Sequence, residues 1–213
     1  MADERISDSD EIEAALHLDG DPEHIKTFYE DWARTYNLDT SDAEWIGPGI
    51  TARLLQQHLP NTDARLLDAG CGTGFVGVEL KALGYDYIDG FDLSAPMAQQ
   101  AIESGAYREV LGDIDMMLAS ESYAEDSYDA VLSAGVFTLG HVPPEALQVL
   151  VQLTRPGGLL VVSTRSHYYD QTNYQQVVDD LVADGRIETI HSMMDAPYTE
   201  EKKGHYWVYR RLS

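Results

Sequence analysis

The chain has 213 residues, with 37 Asp and Glu against 14 Lys and Arg, for a formal charge of -23. That length suits one substantial core and is short for two, and the acidity repels a phosphate backbone, so nucleic acid is not expected as a partner. A single cysteine, Cys71, excludes an internal disulfide and any cysteine-cluster metal site, and no metal is expected. No run has the length of a membrane span, and the first residues lack the basic and then apolar regions of a signal peptide, so a cytoplasmic protein without a membrane partner is expected.

Residues 1–20 are rich in Asp, Glu and Ser and read as a mobile acidic leader before a single domain over 21–213. Asp21 offers an N-cap and Pro22 suits the first helical position. Ile25, Phe28, Trp32 and Tyr36 then recur at helical spacing over 24–36. After a break at Gly47-Pro48-Gly49, a second helix is expected over about 50–59, stopped by Pro60. These two helices, within 21–60, precede a core at 61–213 in which short β-rich apolar runs alternate with helical patterns. That alternation predicts βαβ units, and so an α/β, doubly wound, mostly parallel sheet with helices on both faces. Strands are expected near 65–68, 87–91, 109–111, 130–133 and 159–163, with helices near 75–83, 96–104 and 145–153. A helix over about 174–183 and two more strands near 187–193 and 205–210 complete seven strands.

The first strand-to-helix turn, Asp68-Ala69-Gly70-Cys71-Gly72-Thr73-Gly74, carries the chemistry. In such sheets ligands bind beyond the carboxyl ends of the strands, where strand order reverses, and glycines let the backbone turn tightly and approach the ligand. Amides at the start of the following helix favour an anionic ligand tail. Gly72-Thr73-Gly74-Phe75-Val76-Gly77 also satisfies G-x-G-x-x-G, so the glycines alone equally suit a dinucleotide and an NAD(P)-dependent oxidoreductase. Asp68 before the turn can accept from a ligand amino group. Asp92 after the second strand can accept from ribose hydroxyls, and Asp113 after the third from an adenine amine, with Ile114 beside the ring.

Leu66-Leu67-Asp68-Ala69-Gly70-Cys71-Gly72-Thr73-Gly74 together with Gly90-Phe91-Asp92-Leu93-Ser94 resembles the class I S-adenosylmethionine-dependent methyltransferases. Tyr128-Asp129-Ala130-Val131-Leu132-Ser133 and Arg155-Pro156-Gly157-Gly158-Leu159-Leu160 extend the likeness over roughly residues 25–165, and 28–36 resembles the lid helix of small-molecule members. The resemblance implies a Rossmann-like fold with an N-terminal helical lid and S-adenosylmethionine as cofactor. It implies that Asp68 and Gly70, with Gly72 and Gly74 in the same turn, hold the amino-acid part. Asp92 would hold the ribose and Asp113 the adenine amine, with Leu93 and Ile114 on the ring and Ala134 near the reacting sulfur. Met97 can touch the adenine edge and Tyr36 is the expected lid contact, although both also suit simple packing.

Methyl transfer needs alignment more than a nucleophilic side chain. An oxygen acceptor would need a base, and His141, just past the fourth strand, is the candidate catalytic residue; a surface histidine near a helix cap is the plainer alternative. Arg165, past the fifth strand, can pair with an acceptor carboxylate or with one of the chain's many acids. The expected activity is methyl transfer to a small-molecule acceptor, with a non-catalytic cofactor-binding protein as the alternative.

Overall fold

In the computed structural model the protein is described over residues 10–42, 45–199 and 202–213. After helix α1 (Asp10–Ala14), a 3-10 turn (Ala15–His17), α2 (Pro22–Asp42) and α3 (Gly47–His58), strands and helices alternate. They run β1 (Leu66–Ala69), α4 (Phe75–Ala82), β2 (Ile88–Phe91), α5 (Ala95–Glu103), β3 (Glu109–Leu111), a 3-10 turn (Met116–Glu121), β4 (Tyr128–Phe137), α6 (Ala146–Leu153) and β5 (Thr154–Arg165). Helices α7 (Ser166–Gln171) and α8 (Tyr174–Ala183) precede β6 (Ile187–Pro197) and β7 (Lys203–Arg211). The seven strands form one open sheet in the order β3-β2-β1-β4-β5-β7-β6. The first five are parallel, and β7 lies antiparallel between β5 and β6.

Every residue of β1 and β2 is buried, as expected of parallel strands covered on both faces. Alternation along β1 divides the interior in two. Leu66 joins Leu55 of α3, Leu80 of α4 and Val208 of β7 on one face, while Leu67 joins Leu150 of α6, Val177 of α8 and Trp207 on the other. Because β2 and β4 flank β1 on opposite sides, strand order reverses at β1, and the crevice above its carboxyl end is the expected ligand position.

Three local expectations change. Residues 10–20, read as part of a mobile leader, hold α1 and a 3-10 turn, and they pack on the loop after β4. Ala15 is buried, and the Gly20 amide donates to the Gly140 carbonyl at 3.0 Å. A Cβ on Gly140 would lie 1.9 Å from the Leu18 carbonyl oxygen; residues 1–9 lie outside the described residues. Gly47-Pro48-Gly49 is no break but the first turn of α3, where proline's missing N–H costs nothing, and a Cβ on Gly47 would come within 2.6 Å of the Trp45 indole nitrogen. The strand expected near 159–163 starts earlier, at Thr154, and takes in Pro156-Gly157-Gly158 as an irregularity: the register jumps between Tyr128↔Thr154 and Ala130↔Leu159, with Gly157 at a φ of 79°. The described helices include none long and apolar enough to cross a membrane.

Candidate cofactor and acceptor cavities

The turn after β1 is built on positive φ values, 72° at Gly70, 53° at Gly72 and 97° at Gly74, which glycine adopts without a side-chain penalty. The three glycines have different neighbours. A Cβ at Gly70 would strike Val136 at 2.5 Å, one at Gly74 would strike Tyr107 at 2.9 Å, and one at Gly72 would meet nothing within 4 Å. Gly72 therefore faces open space, and that space is a cavity of about 300 Å3.

Asp92 forms part of the cavity wall and braces the turn from the end of β2. One carboxylate oxygen accepts the Gly72 amide at 2.8 Å, the other the Ser94 amide at 2.9 Å. Burial pushes its carboxyl up to about 6 against these donors. Asp68 is more enclosed, with 0% of its surface exposed, and it is not part of the wall. Its Oδ2 accepts the Tyr107 hydroxyl at 2.6 Å, whereas Oδ1 has no partner. Burial, moderated by that bond, raises its carboxyl to about 7.

Tyr107 explains the last glycine of the G-x-G-x-x-G run. Its hydroxyl also accepts the Gly77 amide at 3.0 Å, and a Cβ on Gly77 would lie 2.2 Å from the ring. Gly77 serves side-chain packing on α4 rather than a pyrophosphate.

Leu93, Met97, Ile114 and Ala134 all line the cavity, as do Gly70, Gly72 and Tyr36. Gly74 instead caps α4 from behind. Asp113 stands outside the wall: a left-handed backbone, φ 59°, goes with an exposed side chain paired to Lys26 at 2.6 Å. The acid of the Asp113-Ile114-Asp115 run that lines the cavity is Asp115, which also caps the following 3-10 turn through the Met117 amide. The expectation that Asp113 faces the ligand is thus corrected to Asp115, because the left-handed backbone at Asp113 turns its side chain out to Lys26. The sequence reading also missed Thr73, Trp45 and Val136 in the wall; the buried Thr73 hydroxyl has no protein partner. Cys71 is a turn residue, its thiol pushed well above its usual range by burial, without nucleophilic character.

A second, smaller cavity of about 70 Å3 shares Tyr29, Tyr36, Trp45, Gly135 and His141 with the first. On α2 the aromatic stripe divides by function. Trp32 is buried, donates its indole N–H to Asp39 at 2.7 Å and borders only the second cavity, while Tyr29 and Tyr36 face both. His141 Nδ1 lies 3.0 Å from the Leu139 carbonyl, which can only accept, so the proton is assigned there and Nε2 carries the lone pair. That Nε2 accepts the Tyr29 hydroxyl at 2.7 Å. Burial lowers the His141 pKa below 6.5, leaving the ring neutral at pH 7. Among the described residues no three His, Cys, Asp or Glu are grouped for a metal.

A family model described as a methyltransferase domain matches residues 44–213, the turn and most of both cavities included. The chain belongs to the class I S-adenosylmethionine-dependent methyltransferases. The chain is 35% identical to human methyltransferase-like protein 27 over 146 residues, 66% of this chain and 57% of that protein. It is also 35% identical to the malonyl-[acyl-carrier protein] O-methyltransferase of Erwinia pyrifoliae over 133 residues, 62% of this chain and 47% of that one. The chain thus spans about half the length of these curated relatives. The fold is shared with the [4+2]-cyclase SpnF, at a TM-score of 0.70 and 16% identity, covering 92% of this chain and 98% of that one.

Proposed function

We propose that this methyltransferase transfers a methyl group from S-adenosylmethionine to a small molecule held between α2 and the carboxyl ends of β4 and β5. The observation that carries this reading is the pair of adjoining cavities with a common wall of Tyr29, Tyr36, Trp45, Gly135 and His141. One is framed by glycines and carboxylates, the other by aromatic rings.

The residues present fit the cofactor. The Thr73 hydroxyl in the wall is a buried polar atom without a protein partner, which a ligand's amino-acid end would supply, while Asp68, outside the wall, places a buried carboxylate behind the turn. Asp92 keeps lone pairs beyond those used by Gly72 and Ser94 for ribose hydroxyls. Leu93, Met97 and Ile114 supply apolar faces for the base, and Asp115 a carboxylate at its edge, with Asp113 and Lys26 as an ion pair at the rim. Gly70 and Gly72 allow close backbone approach, Gly74 sets the start of α4, and Ala134 leaves room at the floor. The cofactor supplies an electrophilic sulfonium methyl, whose carbon–sulfur bond breaks with both electrons going to sulfur as the acceptor–carbon bond forms.

The protein's share is alignment, exclusion of water and custody of one proton. Tyr36 and Tyr29 line the cavity and would offer aromatic rings to a cationic centre held there. The Nε2 of His141 is unprotonated at neutral pH and takes the acceptor's proton, directly or through the Tyr29 hydroxyl already bonded to it. A macromolecular acceptor is disfavoured by the charge of -23, which repels a nucleic acid, and by the small volume of the second cavity.

The test is release of S-adenosylhomocysteine from S-adenosylmethionine over a panel of small acids, alcohols, thiols and amines, with tRNA and malonyl-acyl-carrier protein run in parallel. Turnover with small molecules alone is expected. Turnover confined to tRNA or the carrier protein, or cofactor binding without turnover on any acceptor, would overturn the reading.

A further inference from the structure

The second cavity contains a charge that the proposed reaction does not use. Among the described residues lining it there is no Asp or Glu, and Arg165 is the only Lys or Arg. Arg165 forms no ion pair within the described residues, although six other Lys and Arg side chains do. Of the two such cations among the described residues lining the two cavities, Lys26 is paired with Asp113, whereas Arg165 has no carboxylate partner. Leaving it so has a cost, since a part-buried guanidinium gives up water without a counter-charge in return.

The side chain is also held in place. Arg165 ends β5 opposite Gly204 of β7, and its guanidinium carbon lies 5.4 Å from the centroid of the Tyr198 ring, which it covers. Tyr198 is fixed from two sides. A Cβ on Gly204 would come within 2.7 Å of its ring, and one on Gly135 within 3.3 Å of its hydroxyl. Besides stacking on the ring, the guanidinium lies within reach of the Tyr198 hydroxyl, and its remaining in-plane N–H groups suit a planar, two-oxygen partner. The charge also bears on Tyr29, Tyr36 and His141 across the cavity.

We propose that the acceptor is a carboxylic acid whose carboxylate is seated on Arg165, with its carbon skeleton against Leu16 and Trp32 and its methyl-accepting atom toward His141. A single cation suits a monoanion better than a phosphate dianion, which the acidic chain would also repel. The carboxylate is the handle and not the nucleophile, because Arg165 lines only the second cavity whereas His141 lines both. This assignment rests on the methyl-transfer reading above.

The experiment titrates benzoate, phenylacetate and hexanoate, each beside its primary amide, into protein saturated with S-adenosylhomocysteine. Wild type, Arg165→Met and Arg165→Lys are compared by calorimetry. Wild type should bind the best acid roughly tenfold or more tighter than its amide, the worth of one charge-assisted pair. Arg165→Met should erase that preference and Arg165→Lys retain part of it, with affinity for S-adenosylhomocysteine within about twofold of wild type in both. Acids and amides binding alike to wild type, or no acid binding at all, would overturn the assignment. So would loss of S-adenosylhomocysteine binding in a folded Arg165→Met protein, which would place the arginine on the cofactor. Failure of wild type itself to bind S-adenosylhomocysteine would instead sink the methyl-transfer reading.

Discussion

The two sides of the composite cavity are made of opposite materials. On the side of β1 and β2 the wall is backbone with buried acids: three left-handed glycines, Asp92 clasping two amides and Asp68 sealed beneath with one oxygen unpartnered. On the side of α2, β4 and β5 the wall is aromatic side chains with a neutral histidine and one arginine. The first is fixed by backbone conformation and admits little change without loss of the turn. The second is fixed by packing of rings on one another and can be rebuilt for a different acceptor, since this fold requires no particular catalytic residue. Changes on the first side should therefore act through the cofactor and the fold, and changes on the second through turnover.

The largest expected effect lies on the aromatic side. His141→Gln should lower kcat by about 10²-fold or more for an acceptor that loses a proton, with little change in cofactor affinity. Because burial holds the His141 pKa below 6.5, the acid limb of the wild-type kcat–pH profile should fall below pH 6.5 and disappear in the variant. An unchanged kcat would leave Tyr29 and His141 as packing.

On the backbone side, Gly77→Ala ordinarily strengthens a helix by about 1 kcal/mol. Here it should cost about 1–3 kcal/mol from overpacking against Tyr107, read as a lower thermal midpoint. Tyr107→Ala in the same chain should return most of the helical gain. A stabilised single variant would show that the tyrosine is not seated as described.

A second effect on the backbone side depends on pH. Asp68 titrates at about 7 in the fold but near 4 in an unfolded chain, so folding holds a proton that the unfolded state has lost. Its contribution to stability is therefore present below pH 4, declines as pH rises toward 7 and is absent above. Asp68→Asn removes this penalty. Without cofactor, the variant's thermal midpoint should exceed that of wild type by several degrees at pH 8, at roughly 2–4 °C per kcal/mol for a chain of this size, and by little at pH 4. A midpoint difference independent of pH would mean that Asp68 is ionised throughout.

The same division decides what could be read from the sequence. Gly70, Gly72 and Gly74 stand out because left-handed backbone leaves few residue choices, and with Asp92 they pointed to a ligand crevice, while the parallel sheet was legible in the alternation of strand and helix patterns. The order of the strands and of most helices followed from apolar periodicity, whereas bounds were missed where glycine and proline lie inside an element, as at Gly47-Pro48-Gly49 in α3 and Pro156-Gly157-Gly158 in β5. The acceptor side was less legible. Ile25, Phe28, Trp32 and Tyr36 share one helical spacing, and nothing local says that Trp32 bonds Asp39 and borders only the second cavity while Tyr36 borders both. Arg165 could have been paired by any of 37 acids, and only the fold shows it beside Tyr198. Residues 10–20 looked like leader because their anchor, the loop at Gly140, lies 120 residues away along the chain.

The central claim is the glycine-framed cavity as the cofactor site, and it is tested most directly by calorimetric titration of S-adenosylhomocysteine into wild type and Asp92→Ala at pH 7.5. Micromolar binding to wild type is predicted, weakened about 100-fold in the variant by loss of charge-assisted bonds to the ribose, while circular dichroism shows the sheet intact. Absence of binding to wild type, or equal affinity for the two proteins, would contradict it.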